Sequence, residues 1–341
     1  MTSKNVSLNN LNKALFKGLL DDVNINEVVI NKFGEILIEK NGAWEIGTEE
    51  QCSSVTKDNL SRWANAVASN SNQKLNESNP ILSTTLDNGC RVQIVIPPAC
   101  DDAQFSVTIR KPSNNVLTLE DFKKQGMFDA VAFNEDFDET DFELKRKLDD
   151  KDFIGFFKLA VRSGKYNIAA AGATGSGKTT FMKALLLEID EEERLLTIED
   201  VRELFNDKHN NQVNLLYPAN GSEILNPTTL LKSSLRMKPD RIILAELRGG
   251  EAFDYISVIS SGHGGSLVSL HAGSYKETIR RLVTMTLQSE TGGRIPYQSV
   301  VEMITDAIDI VVVIEAHKGK RAIKSIFWKD YNAVTECLNS K

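Results

Sequence analysis

Cysteine, proline, histidine and long apolar runs are all scarce in this 341-residue chain, which carries 4 Cys, 8 Pro and 4 His. Cys52, Cys90, Cys100 and Cys337 are scattered without C-x-x-C spacing. That speaks against a disulfide framework and a structural zinc site, and it points to a reducing compartment. No apolar run approaches the roughly 20 residues that span a bilayer, and the N-terminus lacks a signal-peptide core. A cytoplasmic protein is the expectation, with room left for contact with a membrane surface. Basic charge is also in deficit: 40 Lys and Arg face 47 Asp and Glu, a net charge of −7. Nucleic acid held by bulk electrostatics is therefore not expected, although a local basic patch remains compatible.

What is present is ordinary globular composition, 41% hydrophobic and 26% charged, at a length that suggests two domains. Leu8, Leu11, Leu15, Phe16 and Leu19 fall at helical spacing. They predict a helix over 8–20, docked on its own domain or free for a membrane or partner. Residues 27–46 predict strands, with turns at Phe33-Gly34-Glu35 and Lys40-Asn41-Gly42. A helix over 59–69 and strands over 81–86, 91–96 and 105–110 complete a small α+β domain with an antiparallel sheet, residues 1–112. Asp129 to Asp152 then holds ten acidic and four basic residues, which predicts an extended or helical surface connector over 113–155. From 156 to 341, short apolar runs at 167–171, 195–198, 241–247, 266–270 and 309–314 alternate with helices and loops. Runs of this kind suit strands buried on both faces of a mainly parallel α/β sheet.

The chemistry concentrates in that second part. Gly172-Ala173-Thr174-Gly175-Ser176-Gly177-Lys178-Thr179-Thr180 fits G-x-x-x-x-G-K-[ST] at every fixed position. An apolar run precedes it, and a helix is predicted over 179–189. Such a loop turns backbone N–H groups onto phosphate oxygens, and the helix N-terminus adds partial positive charge. Lys178 can then reach the β- and γ-phosphates, and the Thr179 hydroxyl can ligate Mg²⁺.

Ligands of parallel sheets sit beyond the strands' carboxyl ends, so polar residues ending the other apolar runs are candidates. Glu199 and Asp200 end one run and could orient or deprotonate a water, or hold a metal-bound water; acidic residues also commonly start turns. Glu246 ends Arg241-Ile242-Ile243-Leu244-Ala245, the Walker-B arrangement that holds Mg²⁺ or activates water. His263 and His271 bracket one strand among glycines, where sensing of a γ-phosphate suits them better than metal binding. Arg110, Arg202, Arg236, Arg241 and Arg248 could offset charge in phosphoryl transfer. Arg110, beside the connector, could close over a nucleotide or simply be a solvated strand-end cation.

With these residues the chain resembles the hexameric traffic ATPases at the cytoplasmic base of bacterial type IV secretion and conjugation machines. The likeness runs through Ser106-Val107-Thr108-Ile109-Arg110-Lys111-Pro112, the phosphate loop, Thr197-Ile198-Glu199-Asp200-Val201, Leu244-Ala245-Glu246-Leu247-Arg248-Gly249-Gly250-Glu251 and Ser261-Gly262-His263-Gly264-Gly265-Ser266. The resemblance implies a RecA-like P-loop domain behind a smaller N-terminal domain. It implies ATP and Mg²⁺ as cofactors, with Lys178 and Thr179 on phosphate and metal, and Glu199 and Glu246 on water. Arg110 would be the arginine through which the first domain reaches nucleotide, and His263 and His271 a histidine box. It further implies a homohexamer working with inner-membrane components of the secretion machine and its other ATPases, peripheral on the cytoplasmic face. The four-cysteine zinc element of the type II cousins is absent, which favours the type IV branch. A nucleic-acid translocase, a small-molecule P-loop kinase and a nucleotide-gated scaffold remain as alternatives. Salt-sensitive DNA stimulation would mark the first, and phosphoryl transfer to a metabolite the second.

Overall fold

The computed structural model describes residues 3–40, 42–112, 118–129, 131, 137–220 and 222–340, with side chains described from 7 to 337 of these. Asn41 of the predicted Asn-Gly turn and parts of the acidic connector lie outside them.

The first sheet is built by α1 (Ser3–Phe16), β1 (Ile25–Lys32), β2 (Leu37–Lys40), β3 (Ala43–Ile46), α2 (Glu49–Ser53), α3 (Lys57–Asn70), β4 (Ile81–Thr85), β5 (Arg91–Val95) and β6 (Gln104–Arg110). Its six strands run in the order β3-β2-β1-β6-β5-β4, every neighbour antiparallel. The predicted first helix stops at Phe16 because Lys17 and Gly18 take left-handed φ values of 47° and 88°. Leu8, Leu15 and Phe16 are buried in this domain's core, so the helix docks on its own domain. Thr56 caps α3 by accepting from the Asn59 amide. The buried stripe Leu60, Trp63, Ala64, Val67 and Ala68 then faces the core at helical spacing. Trp63 meets Phe16 edge-on at 5.2 Å and donates its indole N–H to Asn12.

The connector and second sheet comprise α4 (Leu119–Lys124), α5 (Glu139–Asp149), α6 (Phe153–Arg162), β7 (Ile168–Gly172), α7 (Lys178–Leu186), β8 (Leu195–Glu199), β9 (Gln212–Leu216), α8 (Pro227–Ser234), β10 (Arg241–Leu244), α9 (Glu251–Ile259), β11 (Leu267–Leu270), α10 (Tyr275–Gln288), α11 (Tyr297–Ala307), β12 (Ile310–His317), β13 (Lys320–Trp328) and α12 (Tyr331–Ser340). Strand order is β13-β12-β7-β11-β10-β8-β9, parallel throughout except for β13 against β12. Every residue of β7, β8, β10 and β11 is buried, because helices cover both faces. Residues of α8, α9, α10 and α11 share one core cluster; residues of α5, α6, α7 and α12 share the other. The part of the acidic connector from Glu139 on is helical, and Leu144 and Asp141 are buried in it, with Tyr166 donating to Asp141.

Two strands of this sheet, β9 and β13, lie outside the apolar runs that predict the others. β13 is an edge strand with residues 320–325 all exposed and no apolar stripe. Conversely, the run predicted over 241–247 leaves the ladder after Leu244, where the chain turns toward the site.

The first sheet sits beside β9. Arg194, fully buried, ties the two sheets by donating to Met237 O (2.7 Å), to Asn31 Oδ1 (2.9 Å) and to Asn211. Gln93 donates to Ser233, and the Leu216 amide donates to Ala99 O.

Candidate functional site

The loop from Gly172 to Gly177 joins the carboxyl end of β7 to the N-terminus of α7. Gly172 cannot carry a side chain, since a Cβ there would lie 2.3 Å from Ile314 O. Gly177 holds φ at +100°, and the path of the loop depends on it. Ala173, Thr174 and Gly175 are exposed, whereas Ser176 is buried with an unpartnered hydroxyl. Lys178 curls back over the loop, donating to Gly172 O (3.0 Å) and Ala173 O (3.1 Å). Burial lowers its pKa, and Glu246 opposes that shift. Thr179 is half-buried and Thr180 exposed at the start of α7.

A cavity of about 220 Å³ opens beside the loop, lined by Thr174, Gly175, Lys178, Thr179, Asp200, Glu246, Arg248, Ser269 and His271, with Glu199 at its wall. The register Leu195↔Arg241 and Ile243↔Leu267 brings the ends of β8, β10 and β11 to this one edge. His271 bridges the loop and the acid: Nε2 lies 2.7 Å from Glu246 Oε1, and Nδ1 lies 3.2 Å from Gly172 O. Its Nδ1 is also 3.4 Å from Lys178 Nζ. Arg248 donates from Nε to Glu246 (2.6 Å) and from Nη1 to Asp200 (2.7 Å). The carboxylates hold its guanidinium firmly in the charged form. A loop lysine, a histidine, an arginine and two carboxylates thus form one connected network at the mouth of a phosphate loop.

Three expectations meet a different geometry. Glu199 is fully buried, and its carboxylate is already occupied. Oε2 accepts from the amides of Glu203 (2.9 Å) and Leu204 (2.8 Å), and Oε1 from Thr197 (3.1 Å). Burial raises its pKa against those hydrogen bonds. Its position fixes the turn after β8, whereas Glu246 lines the cavity with its carboxylate on His271 and Arg248. His263 lies before β11 begins, at the opposite edge from the loop, where its carbonyl accepts from Ser266 and Gly264 abuts Gly164 and Lys165. Arg110 does not reach this chain's own loop. Its Nε lies 3.5 Å from Glu27, in a separate cavity with Arg91, Arg236 and Lys238 near the amino edge.

The other candidate arginines also part company. Arg202 pairs with Asp101 at 2.8 Å. Arg241 is buried at the amino edge, bound to Glu193 and to the carbonyls of Val161 and Gly265. Sequence reasoning passed over Arg321, whose side chain lies against Gly177. The signal lay in Lys318-Gly319, a two-residue turn between alternating residues, which predicts a hairpin returning toward the loop.

Comparison with known proteins gives a consistent picture. Residues 19–325 match the family described as type II/IV secretion system protein. The chain is 43% identical over 320 residues to the type IV secretion system protein VirB11 of Brucella suis biovar 1, covering 92% of this chain and 88% of that one. It is 38% identical over 317 residues to the type IV secretion system protein PtlH of Bordetella pertussis, covering 90% and 91%. It also superposes on the crystal structure of the VirB11 ATPase from the Brucella suis type IV secretion system in complex with sulphate. There the TM-score is 0.87 and the identity 42%, over 95% of this chain and 98% of that one. On this match, which spans both sheets and the phosphate loop, the chain belongs to the type II/IV secretion system protein family.

Proposed function

We propose that this chain is the ATP-hydrolysing motor of a type IV secretion machine, coupling nucleotide turnover to domain motion for pilus assembly and export of DNA or protein. One observation carries the reading: the Lys178–His271–Glu246–Arg248–Asp200 network encloses a cavity at the phosphate loop. The relatives are secretion-system proteins along nearly the whole matched length, which favours a motor over the translocase and kinase alternatives.

Lys178 releases the carbonyls of Gly172 and Ala173 to bind the β- and γ-phosphates, where donor and acceptor are both ionised and the contact is stronger than one to a neutral carbonyl. Glu246 orients the attacking water and accepts its proton. Arg248, anchored on Asp200, keeps that carboxylate aimed and adds positive charge where phosphoryl charge develops. Because His271 touches both Glu246 and the loop carbonyl of Gly172, departure of the γ-phosphate is felt at once by the acid and by β11.

The donors fit Mg²⁺ held largely by substrate phosphates: Thr179 and Glu246 share the cavity with Lys178. Among the described residues no cluster of three or more His, Cys, Asp or Glu forms a protein-only cage. The ion, when bound, neutralises phosphate charge.

The working units are residues 1–112 and 156–341, joined by 113–155 with α5 and α6 packed on the second unit, and the assembly is a homohexamer peripheral on the cytoplasmic face of the inner membrane. Arg110, remote from its own loop, serves the nucleotide of a neighbouring subunit in that ring. Lys178→Ala tests the core of the reading: ATP binding and hydrolysis by the purified protein should both vanish. Intact turnover in that variant would sink it.

A further inference from the structure

We infer that Arg321, at the tip of the β12–β13 hairpin, is a polyphosphate-binding cation that closes the phosphate loop from the side opposite Glu246. This rests on the reading of the loop as an ATP site. β12 pairs with β7 as far as Ile314↔Gly172, the first residue of the loop, and then continues to His317 beyond the sheet edge. The turn at Lys318 and Gly319 has φ values of 47° and 79°, the two consecutive left-handed residues of a tight hairpin. The tip is therefore built into the sheet, and register Ala316↔Arg321 sets the arginine just above the loop.

Its side chain lies on the loop itself. Arg321 Cδ is 2.9 Å, Nε 3.4 Å and Cζ 3.8 Å from where a Cβ of Gly177 would be. Among the described residues it has no carboxylate within 4 Å and no hydrogen-bond partner. The arginines nearest the acids of the site behave differently, while Arg280 and Arg281 line a cavity beyond His271 on the far side of the site. Arg248 is held between Asp200 and Glu246, and Arg202 pairs with Asp101. A free guanidinium resting against Gly177 of the phosphate loop has one evident chemical complement, an anionic oxygen of the bound polyphosphate. Sheet order adds the asymmetry. β12 flanks β7 on one side while β11 and β10, which deliver His271 and Glu246, lie on the other. The cation thus grips phosphate, and the acids work on water.

The test compares wild type, Arg321→Ala, Arg321→Lys and Lys318→Ala in ATP and ADP binding and steady-state hydrolysis. Arg321 is exposed, so the variants should match wild type in circular dichroism and melting. Arg321→Ala should weaken ADP and ATP binding by roughly tenfold or more and raise KM with a smaller change in kcat, while Arg321→Lys recovers part of the loss. Affinity within about twofold of wild type for Arg321→Ala would overturn the assignment. So would an equal loss in Lys318→Ala, which would mean a diffuse positive potential only. Failure of the wild type itself to bind nucleotide would count against the ATP-site reading instead, which separates the two claims.

Discussion

At the amino edge of the parallel sheet Arg241 has a side chain 1% exposed and bound to Glu193, whereas at the carboxyl edge Arg248 has a side chain 50% exposed between Glu246 and Asp200. The same residue type sits a few positions apart in sequence and does opposite work. Arg241 also donates to Val161 O and Gly265 O, so each of its three guanidinium nitrogens meets a fixed acceptor. Gly265 is part of that fit, since a Cβ there would lie 1.7 Å from Arg241 Nη1. A buried, saturated cation is a structural tie. A half-solvated one facing carboxylates across a cavity is free to exchange partners when phosphate arrives. What separates structure from function at the two edges is therefore solvent access and spare hydrogen-bonding capacity.

The largest effect that would sharpen this contrast is at Glu246. Glu246→Gln keeps the shape and the contact with His271 but cannot take a proton, so turnover should fall by about a hundredfold or more with ATP binding retained. Parallel loss of binding, measured by titration calorimetry, would make Glu246 a binding residue. Next comes Arg241→Met, which strands Glu193 and two carbonyls and should cost about 3 kcal/mol in urea unfolding. Arg248→Met should cost under about 1 kcal/mol in the same assay while reducing turnover. If Arg248→Met unfolds the protein and Arg241→Met does not, the distinction between the edges collapses.

Much of this was legible in the sequence where the chemistry is local. The phosphate loop was, because backbone amides do the work and glycine spacing alone encodes their path. Glu246 and His271 were, because each ends a short apolar run, and a parallel sheet delivers such ends to one edge. His263 failed the same logic because it starts the run that His271 ends. Four residues of extended strand put about 13 Å between those ends. Glu199 looked equivalent to Glu246, and only the return of the Glu203 and Leu204 amides distinguishes them. That turn is a tertiary fact with no strand or helix periodicity. Arg110 and Arg194 show the limit for cations. The sequence singled out Arg110 and passed over Arg194, yet Arg194 is the buried tie between the sheets. Their separation depends on how the first sheet docks beside β9.

Glu27 offers the most specific test of that docking. Its carboxyl is 2% exposed at the junction of the two sheets, one oxygen has no partner, and the other lies 3.5 Å from Arg110. Burial pushes its pKa up to about 7, with Lys238 and Arg110 resisting. An acid whose pKa is higher folded than unfolded keeps a proton that the unfolded chain has released. Its contribution is therefore unfavourable to folding once pH rises above the unfolded value of 4.5, and the penalty grows until about pH 7. Wild-type stability should fall across that window by roughly 3 kcal/mol relative to Glu27→Gln, which stays neutral throughout. The measurement is urea unfolding of both proteins at about pH 5, 6, 7 and 8, since a single pH cannot separate a titration from a packing change. A pH-independent difference would mean that Glu27 titrates alike in the folded and unfolded chain, solvated through the neighbouring cavity. The Arg110 pocket would then be as open as the carboxyl edge, and burial would no longer divide the binding cations from the structural ones.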